Sequence, residues 1–94
     1  MVHEIIWSDE AQEDYTAIVN YLLNDWSFEI ADAFTDELSK KIALLERHPY
    51  IGHPSNHLSS VRRMLVTPYQ YLYYSVIKNQ IFLLNIVDTR KSLD

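Results

Sequence analysis

The 94-residue sequence has no cysteine, one glycine and three prolines. Without thiols, neither a disulfide frame nor a thiolate metal site can stabilise the fold, and the absence suits a reducing cytoplasm. Few chain breakers, together with 48% hydrophobic and 22% charged residues, exclude a disordered chain. No apolar run approaches the roughly 20 residues that a membrane helix needs. The start, VHEIIW, is strand-like rather than a basic region followed by an apolar run. The expectation is one soluble, unexported, cytoplasmic domain over residues 1–94, with no membrane partner. A chain of this size buries only somewhat more than about 60% of its unfolded surface, so its single core has little to spare.

Basic residues are also scarce, at eight Lys or Arg against thirteen Asp or Glu. The net charge of -5 argues against a general nucleic-acid binder, whose usual footprint is a basic surface. The charges are unevenly placed, however. Residues 1–47 carry eleven carboxylates against Lys40, Lys41 and Arg47, and no carboxylate lies between Glu46 and Asp88. A partner could therefore meet a locally positive surface on an acidic protein.

That positive part, Val61 to Arg90, contains three runs rich in Val, Ile, Leu, Phe and Tyr, broken at Thr67-Pro68 and at Lys78-Asn79-Gln80. β-Branched and aromatic residues suit a pleated, half-buried surface, so the pattern predicts a three-stranded antiparallel meander. Ile81 to Val87 is apolar at every position except Asn85. Such a strand is either covered on both faces or central in its sheet.

Val2 to Trp7 predicts a short strand ending at Ser8, the N-cap of a first helix that runs to about Asn24. Asp9 and Glu10 fall at the positive end of its dipole. Ala11, Tyr15, Ile18 and Leu22 form its apolar stripe, with Gln12, Glu13, Asp14, Thr16 and Asn20 turned outward. Ser27 caps a second helix with the stripe Ala31, Phe34, Leu38, Ile42 and Leu45, and Pro49 stops it. Asp36–Lys40 and Glu37–Lys41 are i,i+4 pairs in the favourable order. Tyr50 to Ser60, with Gly52 and Pro54, predicts a surface loop. The order β-α-α-β-β-β gives an α+β fold in which a helical hairpin packs on one face of a four-stranded, mostly antiparallel sheet.

Adjacent on a strand, Arg62 and Arg63 point to opposite faces; one can meet a partner while the other lies along the sheet edge or pairs with a helix carboxylate. Asp88 and Arg90 share one side of a strand end and suit a salt bridge, and Lys91 is solvated. Tyr69, Tyr71, Tyr73 and Tyr74 could stack nucleotides, but high strand propensity accounts for them as well. His48, His53 and His57 lack the cysteine, nearby carboxylates and rigid support of a zinc site, so no metal or cofactor is expected. His53 or His57 would be the only candidate base for RNA cleavage in that loop. Trp7 and Trp26 are expected in the core or in helix packing. The acidic helix faces are solvated surface that could also direct a basic segment of a partner.

Several fragments together resemble the RelE/ParE superfamily of toxins from bacterial toxin–antitoxin modules. They are IIWSDEAQEDYTAIVNYL, then LERHPYIG with Pro49 three residues before Gly52, and the block from Val61 with Arg62 or Arg63 ahead of Pro68-Tyr69 and a closing Asp88-Thr89-Arg90. The resemblance spans nearly the whole chain. It implies a toxin neutralised by a cognate antitoxin, with a homodimer or a hetero-oligomer with the antitoxin as expected assemblies and plasmid stabilisation as an expected role. One branch of the superfamily resembles ribosome-dependent mRNA endonucleases, and another resembles inhibitors of DNA gyrase. A nuclease needs cations for a pentavalent phosphate, a base for the 2′-OH and an acid for the leaving oxygen. That branch uses Lys and Arg with Tyr, or Glu, Arg and His. Here there is no Lys between Lys41 and Lys78, no Glu in the meander, and no Tyr or His after Arg90. Only Arg62 or Arg63 and Arg90 match. The resemblance therefore implies the ParE-like branch: a non-enzymatic inhibitor whose partner surface comprises Arg62, Arg63, the Asp88 to Asp94 tail with Arg90 and Lys91, and the 49–60 loop. The alternatives are a nuclease acting on ribosome-bound mRNA through Arg62, Arg63 and Arg90, and a non-toxic antitoxin-binding homologue.

Overall fold

A computed structural model describes residues 2–91. Strand β1 (Glu4–Trp7) leads into helix α1 (Asp9–Asp25), and after a short turn helix α2 (Phe28–Arg47) runs back. A two-residue strand β2 (His53–Pro54) follows, then β3 (Arg62–Thr67), β4 (Gln70–Ile77) and β5 (Gln80–Asp88), and a 3-10 turn at Thr89–Lys91. The caps form as their chemistry requires. The Ser8 hydroxyl accepts from the Ala11 N–H at 3.0 Å, and the Ser27 hydroxyl accepts from the Ile30 N–H at 3.2 Å. Both i,i+4 ion pairs are present, Lys40–Asp36 at 3.6 Å and Lys41–Glu37 at 3.3 Å.

The sheet order is β1-β5-β4-β3-β2, antiparallel except for β1, which lies parallel to β5. The sheet thus has five strands rather than four. The extra one sits inside the expected loop, where Pro54 pairs with Arg62 at the sheet edge, a position in which a missing N–H is tolerated. The apolar run of β5, broken only at Asn85, is explained by its position between β1 and β4, not by cover on both faces. Lys78 turns the β4–β5 hairpin with φ 57°, in the left-handed region that two-residue turns demand.

The core lies between one sheet face and the helical hairpin. Ala11 and Leu22 from α1, and Ala31, Phe34, Leu38 and Leu45 from α2, cover Val66, Leu72, Tyr74, Ile81, Leu83 and Ile86. The two tryptophans part company. Trp7 packs against this core, edge to face with Tyr15 at 5.9 Å, whereas Trp26 is exposed at the hairpin tip rather than in helix packing.

Asp14 also departs from its expected outward position. Its carboxylate accepts from the Ile86 N–H at 2.9 Å, next to a bulge in β5 where the register with β4 shifts between Tyr73 and Tyr74. The Ser8 hydroxyl donates to the Leu84 carbonyl at 2.8 Å in the same irregular stretch. A bulge leaves backbone groups outside the ladder. Helix α1 supplies their partners and is thereby fixed along β5.

Candidate functional site

Arg62 and Arg63 open β3 and, as strand geometry requires, face opposite ways. Arg62 stands opposite Tyr74, on the core side. Its guanidinium donates to the Tyr50 carbonyl at 3.1 Å and the Gly52 carbonyl at 2.8 Å, and lies 5.2 Å from the Tyr50 ring centre. It therefore holds the loop after α2, and does not pair with a helix carboxylate. That loop is closed from below as well: the Gly52 N–H donates to the buried Tyr74 hydroxyl at 2.8 Å. Burial pushes the Tyr74 phenol above its ordinary pKa, while the Gly52 N–H and the Arg62 charge oppose the shift.

Arg63 lies on the other sheet face, which among the described elements no helix covers. Its guanidinium sits 4.2 Å from the Tyr71 ring centre, and Tyr71 meets Tyr73 edge to face at 6.3 Å. His53 of β2 is the register partner of Arg63. Ile51, Gly52, His53, Arg63, Leu65 and Tyr71 line a hollow of about 280 Å³. One arginine, one histidine and one tyrosine thus converge at one end of the outer face.

The second group lies elsewhere. Asp88 ends β5, and its carboxylate accepts from the Arg90 backbone N–H at 2.8 Å, from Nε at 3.1 Å and from the terminal guanidinium nitrogen at 2.8 Å. These side-chain and backbone bonds hold the Asp88 carboxyl at a pKa of about 2. The pair is an exposed, bidentate salt bridge, with the Arg90 side chain 86% accessible. Lys91 is exposed beside it. The remainder of the expected tail surface, residues 92–94, lies outside the described residues. The register puts Arg63 across from Tyr73 and Asn85, two strands from β5 and three residues short of Asp88. At about 3.3 Å per residue and about 4.8 Å per strand, that separation is roughly 14 Å. The structure does not bring the two arginine positions together.

Among the described residues, no three His, Asp or Glu side chains form a group that could hold a metal ion, and no helix is long and apolar enough to cross a membrane. The residue pattern on β3 did not show that Arg62 grips a loop. Its clue was the lone glycine ten positions earlier, whose role appears only when Tyr74 is seen beneath it.

The chain is thus a small α+β protein with a helical hairpin on one face of a five-stranded sheet and arginines at the start of β3 and just beyond β5. The model of the ParE toxin of type II toxin–antitoxin systems, parDE, matches residues 5–93, and the chain belongs to that family. No curated protein sequence matches it significantly. Solved structures share the fold. A chain of the chromosomal ParDE toxin–antitoxin system from P. aeruginosa superposes with a TM-score of 0.77 at 19% identity, over 93% of this chain and 96% of that one. A chain of the E. coli DinJ–YafQ toxin–antitoxin complex gives 0.68 at 15% identity, covering both chains completely. The YoeB dimer from Staphylococcus aureus gives 0.64 at 17% identity, over 90% and 94% of the two chains.

Proposed function

We propose that this ParE-family toxin arrests growth by protein–protein contact with an essential enzyme, DNA gyrase by family resemblance, and that a cognate antitoxin holds it inactive. The observation that carries this reading is the separation of its arginines. A phosphoryl-transfer site needs its cations on one phosphate. Here Arg62 is committed to the Tyr50 and Gly52 carbonyls and Arg90 to Asp88, roughly 14 Å of sheet lies between the Arg63 and Asp88 positions, and no carboxylate occurs from residue 47 to residue 87. Such residues serve a docking surface better than a nuclease centre. Within it, Arg63 is the contact residue and Arg62 shapes the 50–52 loop beside it.

A second reading, ribosome-dependent mRNA cleavage, is favoured by one observation: His53 opposes Arg63 across β2 and β3, with Tyr71 beneath the guanidinium. In that scheme Arg63 would hold the phosphate and His53 would exchange the proton.

The test is induction of the chain alone in a bacterium, with growth, transcript integrity and DNA supercoiling followed together. Arrest with intact transcripts and altered supercoiling supports gyrase inhibition. Cut transcripts that become intact in His53→Ala would replace it with the nuclease. No arrest by folded protein would leave an antitoxin-binding homologue without toxicity.

A further inference from the structure

The turn between α1 and α2 leaves five large apolar side chains uncovered: Tyr21, Leu23, Trp26, Phe28 and Ile30. Trp26 and Phe28 are 63% and 68% accessible, although the turn itself requires only the Ser27 cap between them. The Trp26 ring N–H donates to the Tyr21 hydroxyl at 3.3 Å, which sets two aromatic rings side by side at the surface. Single exposed apolar residues are ordinary, but grouped aromatics on a small protein mark an interaction site, and Trp and Tyr are the types that dominate such sites.

Within residues 21–32 the charge has one sign. Asp25, Glu29 and Asp32 are interleaved with the aromatics and exposed, and no Lys or Arg occurs before Lys40. Arg90 lies close enough for Tyr21 to influence its guanidinium, but that guanidinium is engaged bidentately by Asp88. Aromatic faces beside carboxylates are complementary to cations carried on apolar stems. A guanidinium can lie on an indole or phenol face while its edge donates to a carboxylate.

We propose that the hairpin tip is a docking surface for an amphipathic segment of a partner protein that carries arginine beside apolar side chains. The apolar side chains cover Phe28 and Leu23, and the arginines reach Trp26, Asp25 and Glu29. This surface does not depend on which target the toxin attacks. An acidic segment would be repelled by the three carboxylates, and a second copy of the same tip would bring like charges together.

The experiment uses a Trp7→Phe variant of the 94-residue chain, so that Trp26 is its one tryptophan and is excited selectively. It is titrated with a synthetic amphipathic peptide of alternating arginine and leucine pairs, and with the same peptide bearing glutamate for arginine. The expected result is a saturable blue shift of Trp26 emission with the arginine peptide only, weakened by added salt. Asp25→Asn, Glu29→Gln and Asp32→Asn together should weaken binding about tenfold, from two- to threefold for each exposed pair. Phe28→Ser should weaken it as well. Glu10→Gln with Glu13→Gln, at the other end of α1, should leave it unchanged. Equal response to both peptides, no response, or an equal loss in the Glu10/Glu13 control would overturn the proposal. So would a shift that grows with protein concentration alone, which would assign the tip to a second copy.

Discussion

Gly52 donates its backbone N–H to the Tyr74 hydroxyl at 2.8 Å, and a Cβ on Gly52 would stand 2.5 Å from that same oxygen and 2.9 Å from the Arg63 carbonyl. The contact joins the loop after α2 to the centre of the sheet, and no side chain larger than hydrogen fits it. Gly52→Ala should destabilise the protein by about 1–3 kcal/mol, as overpacking does. Tyr74→Phe should also cost about 1–3 kcal/mol, because the buried Gly52 N–H loses its acceptor. The double variant recovers only part of the alanine clash, since the Arg63 carbonyl and the Tyr74 ring remain. Urea denaturation of the three variants measures this, and full additivity would contradict the contact.

The two arginines on β3 should separate by experiment. Arg62→Ala removes charged hydrogen bonds to the Tyr50 and Gly52 carbonyls and should lower stability by about 1.5–3 kcal/mol. Arg63→Ala removes, among its contacts, the cation–π contact with Tyr71, worth about 0.5–1 kcal/mol. Growth arrest should be relieved in Arg63→Ala by protein that remains folded at the growth temperature. If Arg62→Ala melts like the parent and Arg63→Ala does not, the assignments are reversed.

Both helices, their serine caps and the three meander strands could be read from periodicity and capping chemistry, because those signals are local. What could not be read depended on a partner distant in sequence. Asp14 looks like any outward polar residue until the β5 bulge presents the Ile86 N–H, 72 positions away. Pro54 argues for a loop until Arg62 pairs with it. Trp26 has the composition of a core residue and the position of a turn residue, and the turn prevailed. The opposite facing of Arg62 and Arg63 followed from strand geometry alone, but nothing local distinguished the loop-holding arginine from the one on the outer face.

Helix α1 should be anchored to β5 through Asp14 and Ser8. Asp14→Ala leaves the Ile86 N–H without its acceptor and should cost about 1–3 kcal/mol. Asp14→Asn keeps an oxygen acceptor and should cost less. Ser8→Ala loses the cap to Ala11 as well as the bond to the Leu84 carbonyl, and should cost about 1 kcal/mol or more. Amide exchange at Ile86 is the specific readout: it should accelerate in Asp14→Ala, and unchanged protection would refute the anchor.

The Asp88 carboxyl should titrate near pH 2, below its ordinary 3.8, because Arg90 donates to it from side chain and backbone. A depressed carboxyl pKa contributes stability above the unfolded value, and that contribution disappears as pH falls from about 3.8 through about 2. Arg90→Ala should move the titration most of the way back, leaving the shift due to the backbone N–H. NMR titration of the Asp88 side chain reads both values, and an Asp88 already near 3.8 in the parent would mean that the pair is not formed in solution.

Tyr74 should ionise above the ordinary tyrosine range, since it is buried in the core beneath Gly52. Its folded pKa is raised above 10.0, mainly by burial. A raised pKa reverses the sign found for Asp88: the contribution to stability is complete below the unfolded tyrosine value and is lost as pH climbs through the folded one. Absorbance at the phenolate band should therefore include a late step, above the ordinary tyrosine range, that coincides with loss of structure. Tyr74→Phe should delete that late step. If the variant instead loses amplitude in the ordinary range near pH 10, the Tyr74 hydroxyl is open to water and the latch to Gly52 is not closed.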